Sequence, residues 1–194
     1  MCKIEKMITE LFQHHQGYLH SKDLQGNRKL QYALSRLVAS GEVLQFRRGL
    51  YKHPAFATLD NWQEISLIYP KAVLCMHSAC AYYTLTTYVP HQVHLAISNK
   101  QKLVLTDYPP VKLYFWTETF FSQHITKTDG VRVYTPERTV CDIMKFCLST
   151  DKEIVKEVAN AYLERSDRQL EQLLKTASET GVYNRVREIF ELLL

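Results

Sequence analysis

Two groups of residues in this 194-residue chain have the types and spacing to do chemistry. The first is Arg28, Gln31, Tyr32, Ser35 and Arg36, followed by Arg47, Arg48 and Lys52. Guanidinium groups pair with phosphates or guanine edges, an amide such as Gln31 can read an adenine edge, and ammonium groups hold phosphates. The second is Cys75-x-His77-x-x-Cys80, with Cys141 and Cys147 far downstream. A tetrahedral zinc site would need a fourth ligand, usually from a second paired motif. Cys141 and Cys147 lie six apart on one helical pattern and point in different directions. Buried free thiols account for the same residues. Cys80 or Cys141 could use His77 as a base, but no cysteine-enzyme signature surrounds them. Gly-rich phosphate loops are missing, as is an acidic cluster spaced for two metals. No catalytic residue, metal or cofactor is therefore expected.

Three further features have a bland and a sharp reading. Arg138 and Asp142 stand at i, i+4, which suits a salt bridge orienting a helix against a sheet; the sharper reading makes Arg138 an anion ligand. His91, His94 and His124 are expected to be solvated. The twelve tyrosines could stack on bases, yet most fall at apolar positions, where Tyr serves as core with a polar handle. Tyr32 and Tyr51 are the two singled out for DNA contact.

The first group needs a scaffold, and residues 1–55 supply one. Ile4, Met7, Ile8, Leu11 and Phe12 form one apolar stripe at helical spacing, ended by Gly17. Ser21 is placed to cap a short helix over Lys22, Asp23 and Leu24; Gly26 breaks it. Asn27 then caps a helix whose Leu30, Ala33, Leu34, Leu37 and Val38 face inward, ending near Gly41. At 100° per residue, Arg28, Gln31, Tyr32, Ser35, Arg36 and Ala39 fall on the other face. Beyond Gly41, Val43, Leu44 and Phe46 read as a strand, Arg47-Arg48-Gly49 as a turn, and Leu50-Tyr51 as the return. This is the order of a winged helix-turn-helix, in which the third helix enters the major groove and the hairpin touches the backbone. A three-helix packing unit with a solvated polar face has the same pattern.

Residues 60–194 read as a second, α+β domain after the connector AFATLDN. Trp62, Ile65, Ser66 and Tyr69 suggest a short helix, Ala72 to Met76 a buried segment, and Ser78 the start of a small-residue helix. Strands are predicted at Val93–Ile97, Leu103–Leu105, Val111–Trp116 and Val131–Tyr134, making a small mixed sheet. Thr135 caps a helix opened by Pro136, and helices at Lys152–Glu164, Arg168–Thr180 (with Asp167 as cap) and Tyr183–Leu194 follow. The fold class is α+β, an N-terminal winged helix-turn-helix followed by an α+β domain with C-terminal helices.

Charge divides along the chain. The net +4 arises from +5 in residues 1–53, +1 in 54–150 and −2 in 151–194. A basic module joined to a neutral or acidic one suits a polyanion-binding protein with a second job. With 46% hydrophobic and 23% charged residues, disorder is not expected. No membrane-length apolar run or signal-peptide pattern is visible, and five cysteines, an odd number, fit a reducing cytoplasm better than a disulfide framework.

The stretch LQYALSRLVASGEVLQFRRGLY resembles the winged helix of AbiEi-type antitoxins of bacterial abortive-infection systems. HSACAYYTLT, followed by VHLAIS, resembles the start of that family's second domain; here the motif residue is Ser78. YTPERTVCDIM resembles a later helix opening, through Pro136, Glu137, Arg138, Thr139 and Asp142. The late helices have similar spacing, so the resemblance covers about residues 4–194. It implies a cytoplasmic, non-enzymatic repressor of its own toxin–antitoxin operon that binds inverted repeats in double-stranded DNA. It further implies an antitoxin that opposes a nucleotidyltransferase-like toxin without needing a stable complex. Two competing classes are a metal-dependent nuclease or hydrolase targeted by the winged helix, and a winged helix that sequesters a protein partner.

Overall fold

The structure, a computed structural model, describes residues 3–193. Residues 1, 2 and 194, which include Cys2 and the end of the last predicted helix, lie outside the described residues. The chain divides into two units, Met1–Ile68 and Tyr69–Leu194.

In the first unit, α1 (Lys3–His14) buries Ile8 and Phe12 completely. Each such side chain contributes about 1.5–3 kcal/mol by leaving water. Gly17 then turns the chain at φ 86°, and a Cβ there would sit 2.4 Å from the Ala57 nitrogen, so no other residue fits. Strand β1 (Tyr18–His20) follows, then a one-turn 3-10 helix at Ser21–Leu24. Ser21 is the first residue of that turn rather than its cap. The capping carboxylate is Asp23, which accepts the His20 N–H at 2.8 Å. Helix α2 (Arg28–Ala39) begins as the sequence suggests, with Asn27 Oδ1 accepting from the Lys29 and Leu30 amides at 3.0 and 3.3 Å.

Strands β2 (Leu44–Arg47) and β3 (Leu50–Lys52) form the wing. They join β1 in an antiparallel sheet of order β1-β3-β2, with an irregularity between Gln45 and Arg47. Ile8, Phe12, Leu19, Leu24, Leu30, Leu34 and Val43 make the core beneath it. This is a winged helix-turn-helix whose middle helix has shrunk to one 3-10 turn. Helix α3 (Asn61–Ile68) completes the unit, its first amides capped by Asp60.

The second unit runs β4 (Val73–Leu74), α4 (Met76–Tyr82), β5 (Val93–Ser98), β6 (Val111–Trp116), α5 (Glu118–Ser122), β7 (Ile125–Thr128) and β8 (Val131–Tyr134). Four helices follow: α6 (Pro136–Phe146), α7 (Lys152–Glu164), α8 (Leu170–Thr180) and α9 (Tyr183–Glu191). The sheet order is β6-β5-β4-β8-β7. It is mixed: β5/β6 and β4/β8 are parallel, β4/β5 and β7/β8 antiparallel. Val73, Ala96, Trp116 and Tyr134 of the sheet share one core with Val140 and Met144 of α6, Val158 and Tyr162 of α7, Ala177 of α8 and Phe190 of α9.

Three local expectations fail here. Leu103–Leu105 is not a strand but part of the irregular loop between β5 and β6, where Val104 is exposed. The outer strand beside β8 comes instead from Ile125–Thr128, whose alternation is interrupted by polar residues. Helix α8 starts at Leu170 with Gln169 as its cap, while Asp167 pairs with Arg165 at 2.8 Å.

Candidate nucleic-acid interface

Leu30 and Leu34 anchor α2 to the core, so the opposite side of that helix must face water. Arg28, Gln31, Tyr32, Ser35 and Arg36 are all exposed there, and Tyr32 is 70% accessible. At 1.5 Å per residue the stripe from Arg28 to Arg36 is about 12 Å long, comparable to the width of a B-form major groove. The Ser35 hydroxyl already donates to the Gln31 carbonyl at 3.0 Å, which leaves its lone pairs for other donors. Lys29, which the sequence reading passed over, is also exposed on this helix.

The wing adds Arg48, exposed at the turn, and Arg47, half-buried with a Nε that has no hydrogen-bond partner. His20 shows what surrounds them. Burial first, then the charges of Lys22 and Arg47, hold its imidazole below the usual value, while Asp23 opposes. Lys22, exposed on the 3-10 turn, therefore joins the wing cations, a second residue missed in the sequence. Among the described residues, none of Lys22, Arg28, Lys29, Arg36, Arg47 and Arg48 forms an ion pair. Six cations of this one unit therefore stand without an ion pair among the described residues, the kind of positive charge that attracts polyanions.

Lys52 departs from this pattern. Its ammonium pairs with Glu64 of α3, which also accepts a hydrogen bond from the Tyr18 hydroxyl, and it lies over the Tyr18 and Phe46 rings. Burial and the neighbouring carboxylate push the Tyr18 phenol well up. The group ties α3 to β1 and β3 and leaves Lys52 little freedom to hold phosphate. Tyr51 is half-buried and packs against the core of the first unit.

The motif residues of the second unit are interior. Ser78 is fully buried, and its hydroxyl oxygen accepts the His94 amide at 2.8 Å, pinning α4 to β5. Thr135 caps α6 through the Arg138 amide, Pro136 occupies the first turn, and Thr139 donates back to the Thr135 carbonyl at 2.9 Å. Glu137 is buried and accepts from the Tyr162 hydroxyl at 2.9 Å. Arg138 is 0% exposed. Its Nε donates to Asp142 at 2.8 Å, Nη1 to the Gln123 carbonyl at 3.2 Å and Nη2 to the Phe120 carbonyl at 3.1 Å. The guanidinium also lies 3.9 Å from the Phe120 ring centroid. Burial raises the Asp142 carboxyl to about 6 despite the opposing pull of Arg138.

Cys75, Cys80, Cys141 and Cys147 are all buried and free, with their thiols held above the ordinary value by burial. Among the described residues no group of three or more His, Cys, Asp or Glu side chains is placed to hold a metal ion. His91 is exposed, but His94 is buried beside His77 and accepts or donates at the Tyr114 hydroxyl, 3.2 Å away. Burial, then His77 and Lys112, lower its imidazole to about 4. His124 is half-buried, 2.7 Å from a Glu179 oxygen, so only His91 of the three is solvated. Among the described residues no helix is long and apolar enough to cross a membrane.

No protein-family model matches the sequence, and neither does any curated protein. Among solved structures, the RV2827C protein from Mycobacterium tuberculosis superimposes with a TM-score of 0.60 at 15% identity, over 95% of this chain and 79% of that one. At that identity the likeness is one of fold.

Proposed function

We propose that this protein is a DNA-binding transcriptional repressor of its own operon and the antitoxin of a bacterial abortive-infection module of the AbiEi type. The observation that carries the DNA-binding half is the exposed α2 stripe together with the wing arginines, all without ion-pair partners among the described residues. In this reading Arg28, Gln31, Tyr32, Ser35 and Arg36 read a major groove, and Lys22, Lys29, Arg47 and Arg48 hold phosphates. Lys52 serves the fold instead. The operator is an inverted repeat in double-stranded DNA of the protein's own promoter, and the site of action is the cytoplasm.

The antitoxin half rests on the resemblance of the second unit's motifs to that family. Ser78 and the Pro136–Asp142 residues serve as architecture, so they hold the unit's shape rather than touch a toxin or its substrate. The chain carries out no chemical step in this reading, and its toxin resembles a nucleotidyltransferase.

Fluorescence anisotropy with promoter DNA and a scrambled duplex tests the first half. Preferential binding is expected, with log K falling against log salt at a slope of about −4 per bound protein if Lys22, Lys29, Arg47 and Arg48 contact phosphates. Arg47→Glu/Arg48→Glu should weaken both duplexes, whereas Gln31→Ala should mainly erode the preference. Equal affinity for both duplexes would sink the repressor claim. Co-expression with the neighbouring toxin gene tests the second half, and failure to restore growth would remove it.

A further inference from the structure

Between α1 and α2 the first unit contains a cleft of about 690 Å³. That size lies within the range of roughly 300–1,000 Å³ typical of small-molecule sites. Ile4, Ile8, Ala33 and Leu37 give it an apolar floor. Its polar groups are of two kinds. The carboxylates Glu5 and Glu42 carry negative charge, but among the described residues neither forms an ion pair with Lys29 or Arg36; Glu42 accepts the Ser40 hydroxyl at 2.8 Å. The cations Lys29 and Arg36 thus stand at the cleft without an ion pair among the described residues. His53 also lines the cleft, and its buried Nδ1 has no hydrogen-bond partner.

We infer that this cleft binds a small amphipathic anion, an apolar body bearing a carboxylate, about ten to fifteen heavy atoms in all, and that the occupant releases DNA. The apolar body displaces water from the half-buried side chains of Ile4, Ala33 and Leu37, which is favourable in proportion to the area covered. The ligand's carboxylate meets the two cations that have no ion pair among the described residues, and bidentate pairing favours Arg36. Tyr32, Arg36 and Lys29 belong both to the cleft and to the exposed face of α2. One set of side chains cannot serve ligand and phosphate at once, so the two exclude each other. The competition rests on the DNA-binding reading above, whereas occupancy of the cleft does not.

Octanoate and 2-naphthoate are suitable probes, with octylamine as the counterpart of opposite charge. Titration of the full chain by amide NMR should shift the Ile8, Ala33 and Leu37 signals with both anions and leave them with octylamine. Ala33→Phe, which fills the floor, should abolish these shifts. Because that variant could perturb packing, Lys29→Glu at the exposed rim provides the second measurement, with octanoate affinity expected to fall at least threefold. Octanoate at ten times its dissociation constant should raise the apparent Kd for DNA about elevenfold by competition. No shifts at millimolar probe, equal response to octylamine, or unchanged octanoate affinity in Lys29→Glu would each overturn the site. Shifts at the cleft with unchanged DNA affinity would overturn the competition alone. Shifts at the cleft in a protein that binds no DNA would leave the site standing and remove the proposed function.

Discussion

Replacing Arg138 by Met isolates the most consequential buried charge in the second unit. Met preserves much of the aliphatic stem but removes the guanidinium that serves Asp142, the Gln123 carbonyl and the Phe120 carbonyl. Asp142 is itself fully buried, and its Oδ2 has no partner even in the native protein. Breaking a buried ion pair from one side costs about 3–5 kcal/mol, because the remaining charge is left uncompensated. The two carbonyls that lose a donor each add about 1 kcal/mol. Asp142 softens the loss by taking up a proton, since burial already raises its carboxyl to about 6 with Arg138 present. The expected destabilisation is therefore about 3–5 kcal/mol rather than the full sum. Adding Asp142→Leu to Arg138→Met removes the orphaned carboxyl and should recover about 2 kcal/mol. Urea unfolding at pH 7.5, followed by Trp116 fluorescence in a Trp62→Phe background, measures both. Trp116 is a local reporter because its ring centroid is 5.3 Å from the guanidinium. A loss below about 1 kcal/mol for Arg138→Met, or no recovery in the double variant, would refute the assignment of this pair to the architecture.

Gly17→Ala should lower stability by at least about 2 kcal/mol, because the new Cβ meets the Ala57 backbone at 2.4 Å in a left-handed conformation; calorimetry of the full chain reads it. Asn27→Ala should cost about 1 kcal/mol through loss of the α2 cap and Asn27→Gly only a few tenths, a ranking that chemical denaturation can check. His94 is neutral in the fold, with an imidazole near 4 against 6.5 when free. The unfolded chain therefore binds the extra proton between those values, and stability should fall as pH drops. The His94 contribution amounts to about 2 kcal/mol lost between pH 7 and pH 5. His77 shifts in the same direction. A His94→Gln variant whose urea midpoint varies with pH as steeply as the native protein's would count against this account.

Local signals carried most of the first unit. The 3.6-residue stripes of α1 and α2 and the cap at Asn27 rest on neighbours in sequence, so a reader of the sequence finds them. The α2 surface was legible for the same reason: once Leu30 and Leu34 point inward, Arg28, Gln31, Tyr32, Ser35 and Arg36 have one direction left. What stayed hidden depends on partners far away in the chain. Lys52 looks like a wing cation until Glu64 of α3 arrives beside it. His94, Ala96 and Ser98 alternate with Leu95 and Ile97 and so read as a solvated face, yet all five are buried because the sheet is covered on both sides at β5. Arg138 is the sharpest case. Charged residues are rarely fully buried, and nothing in its helix announces that two carbonyls and three aromatic rings will receive it.

The two-residue strand β4 has a consequence for how the chain is made. It is the middle strand of its sheet, and its parallel neighbour β8 pairs Leu74 with Val133. A ribosome that has released β4, α4, β5 and β6 has released only one side of that sheet, and the centre still lacks a neighbour. The first unit, by contrast, closes its β1-β3-β2 sheet within residues 18–52 and can be complete while the rest is still being synthesised. At roughly 5–20 residues per second the interval from Leu74 to Val133 lasts several seconds. During that time the apolar strands β4 and β5 are exposed together with an unpaired edge, the condition under which nascent chains recruit chaperones or aggregate. The winged-helix unit can thus be complete before its companion, and the vulnerable period of this protein's biogenesis belongs to the second unit.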